Sequence, residues 1–178
     1  MNVEIQMSTR DVVLAAWGRV GLGLWRGKTT VGALRKATQL LSKYAEQIQQ
    51  PLLLLTVVEE SAHLPPLEAR MEMVSFLKGG NGQVERHAIV FEGEGFRAAS
   101  IRAVVAGVSL FSRPDYPSRV FGSVGAAARF LSAGKMDAPA PHRVIRMVNE
   151  ARRALGTETM LPWLTPSVQS SDSLSSRH

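Results

Sequence analysis

The chain contains no cysteine. That excludes disulfides, cysteine-ligated zinc, iron–sulfur clusters and a thiol nucleophile. Aromatic residues are scarce, at 6%. No apolar run approaches the ~20 residues of a membrane-spanning helix. The opening MNVEIQMSTRD has no basic stretch ahead of an apolar one. No signal peptide is therefore expected, and the cytoplasm is the expected compartment. The histidines lack metal-ligand spacing: His63, His87 and His142 lie far apart, and His178 falls in a Ser-rich tail. Each is expected to be solvated or structural, and the chain repeats nothing internally.

What is present suits one globular core. The chain has 178 residues, 45% of them hydrophobic. A chain of this size buries about 70% of its open surface. Lys and Arg number 21 against 15 Asp and Glu, a net charge of +6. Such a balance suits a nucleic-acid or anionic-lipid partner. The arginines are spread along the chain, however, and a small net charge also serves plain solubility. No nucleic-acid partner is expected.

The periodicity changes several times along the chain. Val3–Met7 alternates, Ser8–Asp11 is turn chemistry, and Val12–Trp17 runs apolar. In Val20–Trp25 the residues Val20, Leu22 and Leu24 share one face. Two or three antiparallel strands are expected here. After a Thr29 or Thr30 cap, Val31, Leu34, Thr38, Leu41, Ala45 and Ile48 mark an amphipathic helix that Pro51 ends. Leu52–Val58 is a continuous apolar run, the pattern of a strand buried on both faces. Pro65-Pro66 opens a second helix, with Leu67, Met71, Val74 and Leu77 as its core stripe. Val84–Phe91 is the next strand, Phe96–Phe111 a third helix and Arg119–Phe121 a short strand. Ser123 caps a helix through Leu131. Strands alternating with helices imply parallel pairing through right-handed crossovers. The expected fold is α/β, with a mixed, mostly parallel sheet of five or six strands and helices packed on it.

The domain is expected to span residues 1–135. Residues 136–164 then supply a stiff Ala-Pro linker, a basic helix from Pro141 and an apolar docking segment. Residues 165–178 form a Ser-rich tail expected to be disordered. On the helix, Val144, Val148, Ala151 and Leu155 make the stripe, and Arg143, Arg146, Arg152 and Arg153 project from the other side. With Trp163 and Leu164 they are the candidate partner-binding residues.

Three short motifs resemble known sites and fail on detail. Gly93-Glu94-Gly95-Phe96-Arg97-Ala98 follows a strand and opens a helix, as in dinucleotide folds. Glu92 and Glu94 would repel a phosphate there, and a tight strand-to-helix turn is the preferred reading. Gly27-Lys28-Thr29-Thr30 lacks the glycine that a phosphate loop needs five residues upstream, where Leu22 stands. Phe121-Gly122-Ser123-Val124-Gly125 has Phe121 where a nucleophile elbow needs glycine.

One constellation is stronger. Parallel strands share an edge at their C-terminal ends, and ligands bind there. Glu59, Glu60 and Ser61 leave one central strand, and Glu92, Glu94 and Arg97 follow another. These carboxylates are candidates for a hard cation or for acid–base work. Solvated loop charges are the alternative.

From Val3 to Leu131 the chain resembles the STAS superfamily, the anti-sigma-factor antagonist fold, in its divergent SpoIIAA-like bacterial branch of unassigned role. The resemblance rests on the order of elements and on three stretches. These are Leu52–Glu60, Ala88–Phe91 with the helix from Phe96, and Arg119–Val124 with Ala126-Ala127 leading to Phe130-Leu131. It implies a binding module without cofactor, in which a hydroxyl after a central strand is phosphorylated. Ser61 is the hydroxyl at that position, although the usual D-S-S-G-like sequence is absent. The expected function is a non-enzymatic cytoplasmic protein-interaction module, a regulator, adaptor or scaffold. Its partner is a protein, a second copy of the chain included. The alternatives are a small-ligand or metal-binding enzyme built on the acidic edge, and an immunity-type protein that neutralises a toxin.

Overall fold

The computed structural model describes residues 3–80, 82–94, 99–100, 103–104, 107–108, 111–134, 138–155 and, for backbone alone, 159–160. Its elements are β1 (Glu4–Ser8), β2 (Val12–Trp17), β3 (Val20–Trp25), α1 (Val31–Ile48), β4 (Leu52–Val58), α2 (Leu67–Gly79) and β5 (Val84–Phe91). They are followed by β6 (Ser118–Phe121), α3 (Val124–Ser132), α4 (Pro141–Ala154) and β7 (Thr159–Met160). Helical backbone also occurs at 99–100, 103–104, 107–108 and 111–112.

The strands form one sheet in the order β6-β5-β4-β3-β2-β1-β7. The expected α/β architecture is borne out. Among the six longer strands, β3–β4, β4–β5 and β5–β6 are parallel, whereas β1–β2 and β2–β3 are antiparallel. The antiparallel part follows from short turns at Thr9–Asp11 and Gly18-Arg19. Gly18 adopts φ +55°, the left-handed conformation this two-residue turn requires. The parallel part follows from the helical crossovers.

Alternation splits each strand between two layers. Val13, Ala15, Val20, Leu22, Leu24, Leu53, Leu55, Val57, Ala88 and Val90 face α3 and α4. Leu14, Trp25, Leu54, Thr56, His87, Ile89 and Phe91 face α1 and α2. Local chemistry sets the helix starts. Thr30 accepts a hydrogen bond from the Ala33 amide at 3.2 Å, and Ser123 accepts one from the Ala126 amide at 3.3 Å. Each satisfies one of the orphan amides of a first turn.

Two expectations need correcting. Val144, Met147, Val148 and Ala151 of α4 are fully buried in the same core as Leu22, Leu55 and Val90. The core therefore does not end near residue 135. Beyond α4, β7 extends the sheet by pairing with β1. On α2 the buried stripe is Ala69 and Leu77, with Met73 and Phe76 partly buried. Leu67 and Met71, expected inside, are each 66% exposed. The helix carries apolar residues on more than one face, so periodicity alone cannot choose its inward side.

Candidate functional site

The C-terminal strand ends do converge. Trp25, Val58 and Phe91 close β3, β4 and β5 in register. Arg26, Glu59 and Glu92 follow them directly, and α4 delivers Arg152 to the same edge. Arg26 pairs with Glu59 through Nε, and its Nη2 donates to Glu59 Oε1 at 3.1 Å. Arg152 Nε donates to the same Oε1 at 3.1 Å. Its Nη2 donates to both oxygens of Glu92, at 2.6 and 2.5 Å. Arg152 thus bridges two strand ends.

The electrostatics follow from that arrangement. Burial pushes the Glu59 carboxyl up, but the guanidiniums of Arg26 and Arg152 outweigh it and hold the group below the ordinary carboxylate range. For Arg152 burial works against the charge, and Glu92 and Glu59 more than offset it, so its pKa rises. Glu59 stays ionised near neutral pH, which suits a structural anchor and not a general acid. Glu60 and Glu94 are exposed. Among the described residues, no group of three or more His, Cys, Asp or Glu is placed to hold a metal ion. The four carboxylates are therefore not gathered as the expected cation site. The charges of Glu59 and Glu92 are met by Arg26 and Arg152. Arg97 lies outside the described residues.

The turn after β4 carries Ser61, whose side chain is exposed and whose Oγ donates to the Arg26 carbonyl at 2.9 Å. Leu64 follows at 48% exposure, then Leu67 and Met71 on the first two turns of α2. Leu67 and Met71, four residues apart on α2, share one exposed face of that helix, and Leu64 precedes them in the segment that leads from Ser61. The signal for this exposed face was present in the sequence, since α2 has more apolar positions than one face can hold.

The basic helix is less uniform than its spacing suggests. Arg143 lies over the Trp17 ring, 5.9 Å from its centre. Arg146 pairs with Glu150 at 3.0 Å. Arg153 is exposed, and Arg152 turns to the strand ends. The four arginines therefore do not make one open face. Trp163 and Leu164 lie outside the described residues.

The weak motifs have structural explanations. The Lys28 amide donates to Asp11 Oδ1 at 3.0 Å, so a carboxylate already occupies the place a phosphate would take. Gly93 sits at φ +111°, and a Cβ there would lie 2.8 Å from Glu60 Cγ. Conformation and close approach both call for glycine.

No family model matches the chain, and no curated protein matches it. Among solved structures, apo-SiaC from Pseudomonas aeruginosa aligns over 67% of this chain and 98% of that chain. The identity is 13% and the TM-score 0.40. Among the described residues no helix is long and apolar enough to cross a membrane.

Proposed function

We propose that this chain is a non-enzymatic protein-interaction module of STAS-like type, acting as a regulator in the bacterial cytoplasm. The supporting observation is the exposure of Leu64, Leu67 and Met71 in the segment that follows Ser61. Water-exposed apolar side chains are favoured as a protein contact, because covering the open part of each removes about 1–2 kcal/mol of unfavourable hydration. Ser61 is the candidate switch. A phosphate there would place about two negative charges on the turn that leads to these side chains. Glu59, compensated by two guanidiniums, would oppose that phosphate less than its sequence position suggests.

The enzyme alternative is not the proposed reading, because Glu59 and Glu92 of the acidic edge are engaged by arginine. Nucleic acid is not the proposed partner, since only part of the basic helix is open to solvent.

The test is affinity capture from a lysate of the source cell, with wild-type and Leu67→Glu/Met71→Glu baits in parallel. A protein retained in stoichiometric amount by the wild type and lost from the variant supports the reading. Retention of the same protein by both baits, or of no protein by either, overturns it. Both substitutions lie at exposed positions and should leave folding intact, which circular dichroism checks.

A further inference from the structure

The layer between the sheet and helices α1 and α2 is incompletely filled. A cavity of about 80 Å³ lies there, bordered by Trp25, Leu54, Ile89, Phe91, Met73 and Phe76 among others. That space is several times the ~10–15 Å³ that one water needs. Its lining is almost wholly apolar, and water gains little from apolar walls. Gly23 of β3 also borders it, and an added Cβ there would approach Trp25 Nε1 at 3.3 Å. Thr29 and the exposed His63 reach the same cavity from the side of the strand ends. They mark a way in between α1 and the β4–α2 turn.

Two polar side chains interrupt the apolar wall. Thr56 and His87 border the cavity from adjacent strands, with Thr56 Oγ1 and His87 Nε2 2.9 Å apart. His87 is 2% exposed, and its Nδ1 has no hydrogen-bond partner among the described residues. A neutral imidazole has one donor and one acceptor nitrogen. With Nε2 committed to Thr56, the unmet capacity of the ring is Nδ1. A buried polar atom with no partner is rare and calls for one. Thr56 sits on the face of β4 that Leu54 and Val58 otherwise make apolar. His87 holds the matching position among Ile89 and Phe91 on β5. The polar pair is thus the exception on this wall.

We propose that this cavity binds a small, uncharged ring compound carrying one hydroxyl, with the ring among the apolar side chains and the hydroxyl hydrogen-bonded to His87 Nδ1. A hydroxyl both donates and accepts, so it satisfies Nδ1 in either tautomer of the imidazole. A charged ligand is excluded, because among the described residues no Asp, Glu, Lys or Arg lines the cavity to compensate it. A ring lacking the hydroxyl would fill the space and leave Nδ1 unmet. The site lies on the α1/α2 side of the sheet, and it stands apart from the exposed Leu67 and Met71 proposed for protein contact. Failure of either reading leaves the other in place.

Phenol and toluene are the probes, since they match in size and differ in the hydroxyl. Titration of the full chain would be followed by the ring ¹⁵N signals of His87 and by calorimetry. Phenol should bind at least about tenfold more tightly than toluene and shift the Nδ1 resonance. In His87→Phe that preference should vanish. The wild-type comparison stands alone if His87→Phe does not fold. Equal binding of the two probes would overturn the proposal. So would an Nδ1 resonance unmoved by phenol at millimolar concentration, which would mark the cavity as water-filled only.

Discussion

The two faces of the sheet are built from the same strands yet packed to different standards. Toward α3 and α4, residues such as Leu22, Leu53, Leu55, Ala88, Val90, Ala127, Ala128, Val144 and Ala151 are at most 2% exposed and form one continuous cluster. Toward α1 and α2 the apolar residues divide into smaller clusters around a cavity. The difference lies in side-chain size and shape. Alanine and valine on the first face let two helices seat closely on the strands. On the second face Trp25, Phe76, Phe91, Leu54 and Met73 line a space that they do not fill. Tight packing leaves little room for adjustment, and residual space leaves more.

Acid should break the comparison most strongly. Burial pushes the pKa of His87 down from 6.5 to about 3. The unfolded chain binds that proton below pH 6.5 and the folded chain does not, so stability falls as pH drops through this window. The loss should reach about 2 kcal/mol at pH 5 and about 4 kcal/mol by pH 3. Urea unfolding of wild type and His87→Gln from pH 7 to pH 4 checks this. The variant should lose less with acid, and parallel curves would refute the assignment.

Large-to-small substitutions on neighbouring residues of β4 compare the faces directly. Leu55→Ala opens a hole in the continuous core and should cost about 3–5 kcal/mol. Leu54→Ala enlarges a space that already exists, so fewer contacts vanish, and about 2 kcal/mol is expected. Equal losses in chemical denaturation would mean that the second face is packed as tightly as the first.

Smaller effects sharpen the picture. Arg152→Met removes the bridge from α4 to Glu59 and Glu92, while Arg26 still holds Glu59. A cost of about 1 kcal/mol is expected, shrinking in high salt, because α4 is seated by its apolar face. A loss above about 3 kcal/mol would make the ion network the main support of α4. Gly23→Ala reduces chain entropy in the unfolded state and adds a methyl beside the cavity. It should raise the midpoint of denaturation by about 0.5 kcal/mol in stability, provided Trp25 yields slightly. Destabilisation would show that Trp25 has no room to move.

Much of the fold is legible in local pattern. The bounds of β2 and β4 coincide with apolar runs that turn residues or proline punctuate, and β5 ends in one. The caps at Thr30 and Ser123 are likewise local, since a hydroxyl and an amide three residues on are all they require. The inward face of α2 is not legible, because Leu67 and Met71 are as apolar as Met73 and Leu77. Only the position of α1 and the sheet decides which pair is covered. The acidic edge was half legible. Strand ends brought Glu59 and Glu92 together as the topology required, but Arg26 and Arg152 come from elsewhere in the chain and neutralise them.

The sequence by itself determined the element types, the α/β class and the burial of the central strands, because these follow from periodicity, propensity and hydrophobicity within short windows. Tertiary structure alone decided the seating of α4 in the core, the pairing of Arg152 with two strand ends and the meeting of Thr56 with His87. Each of these joins residues distant along the chain, and their energies depend on distances and solvent exclusion that exist only once the sheet has assembled.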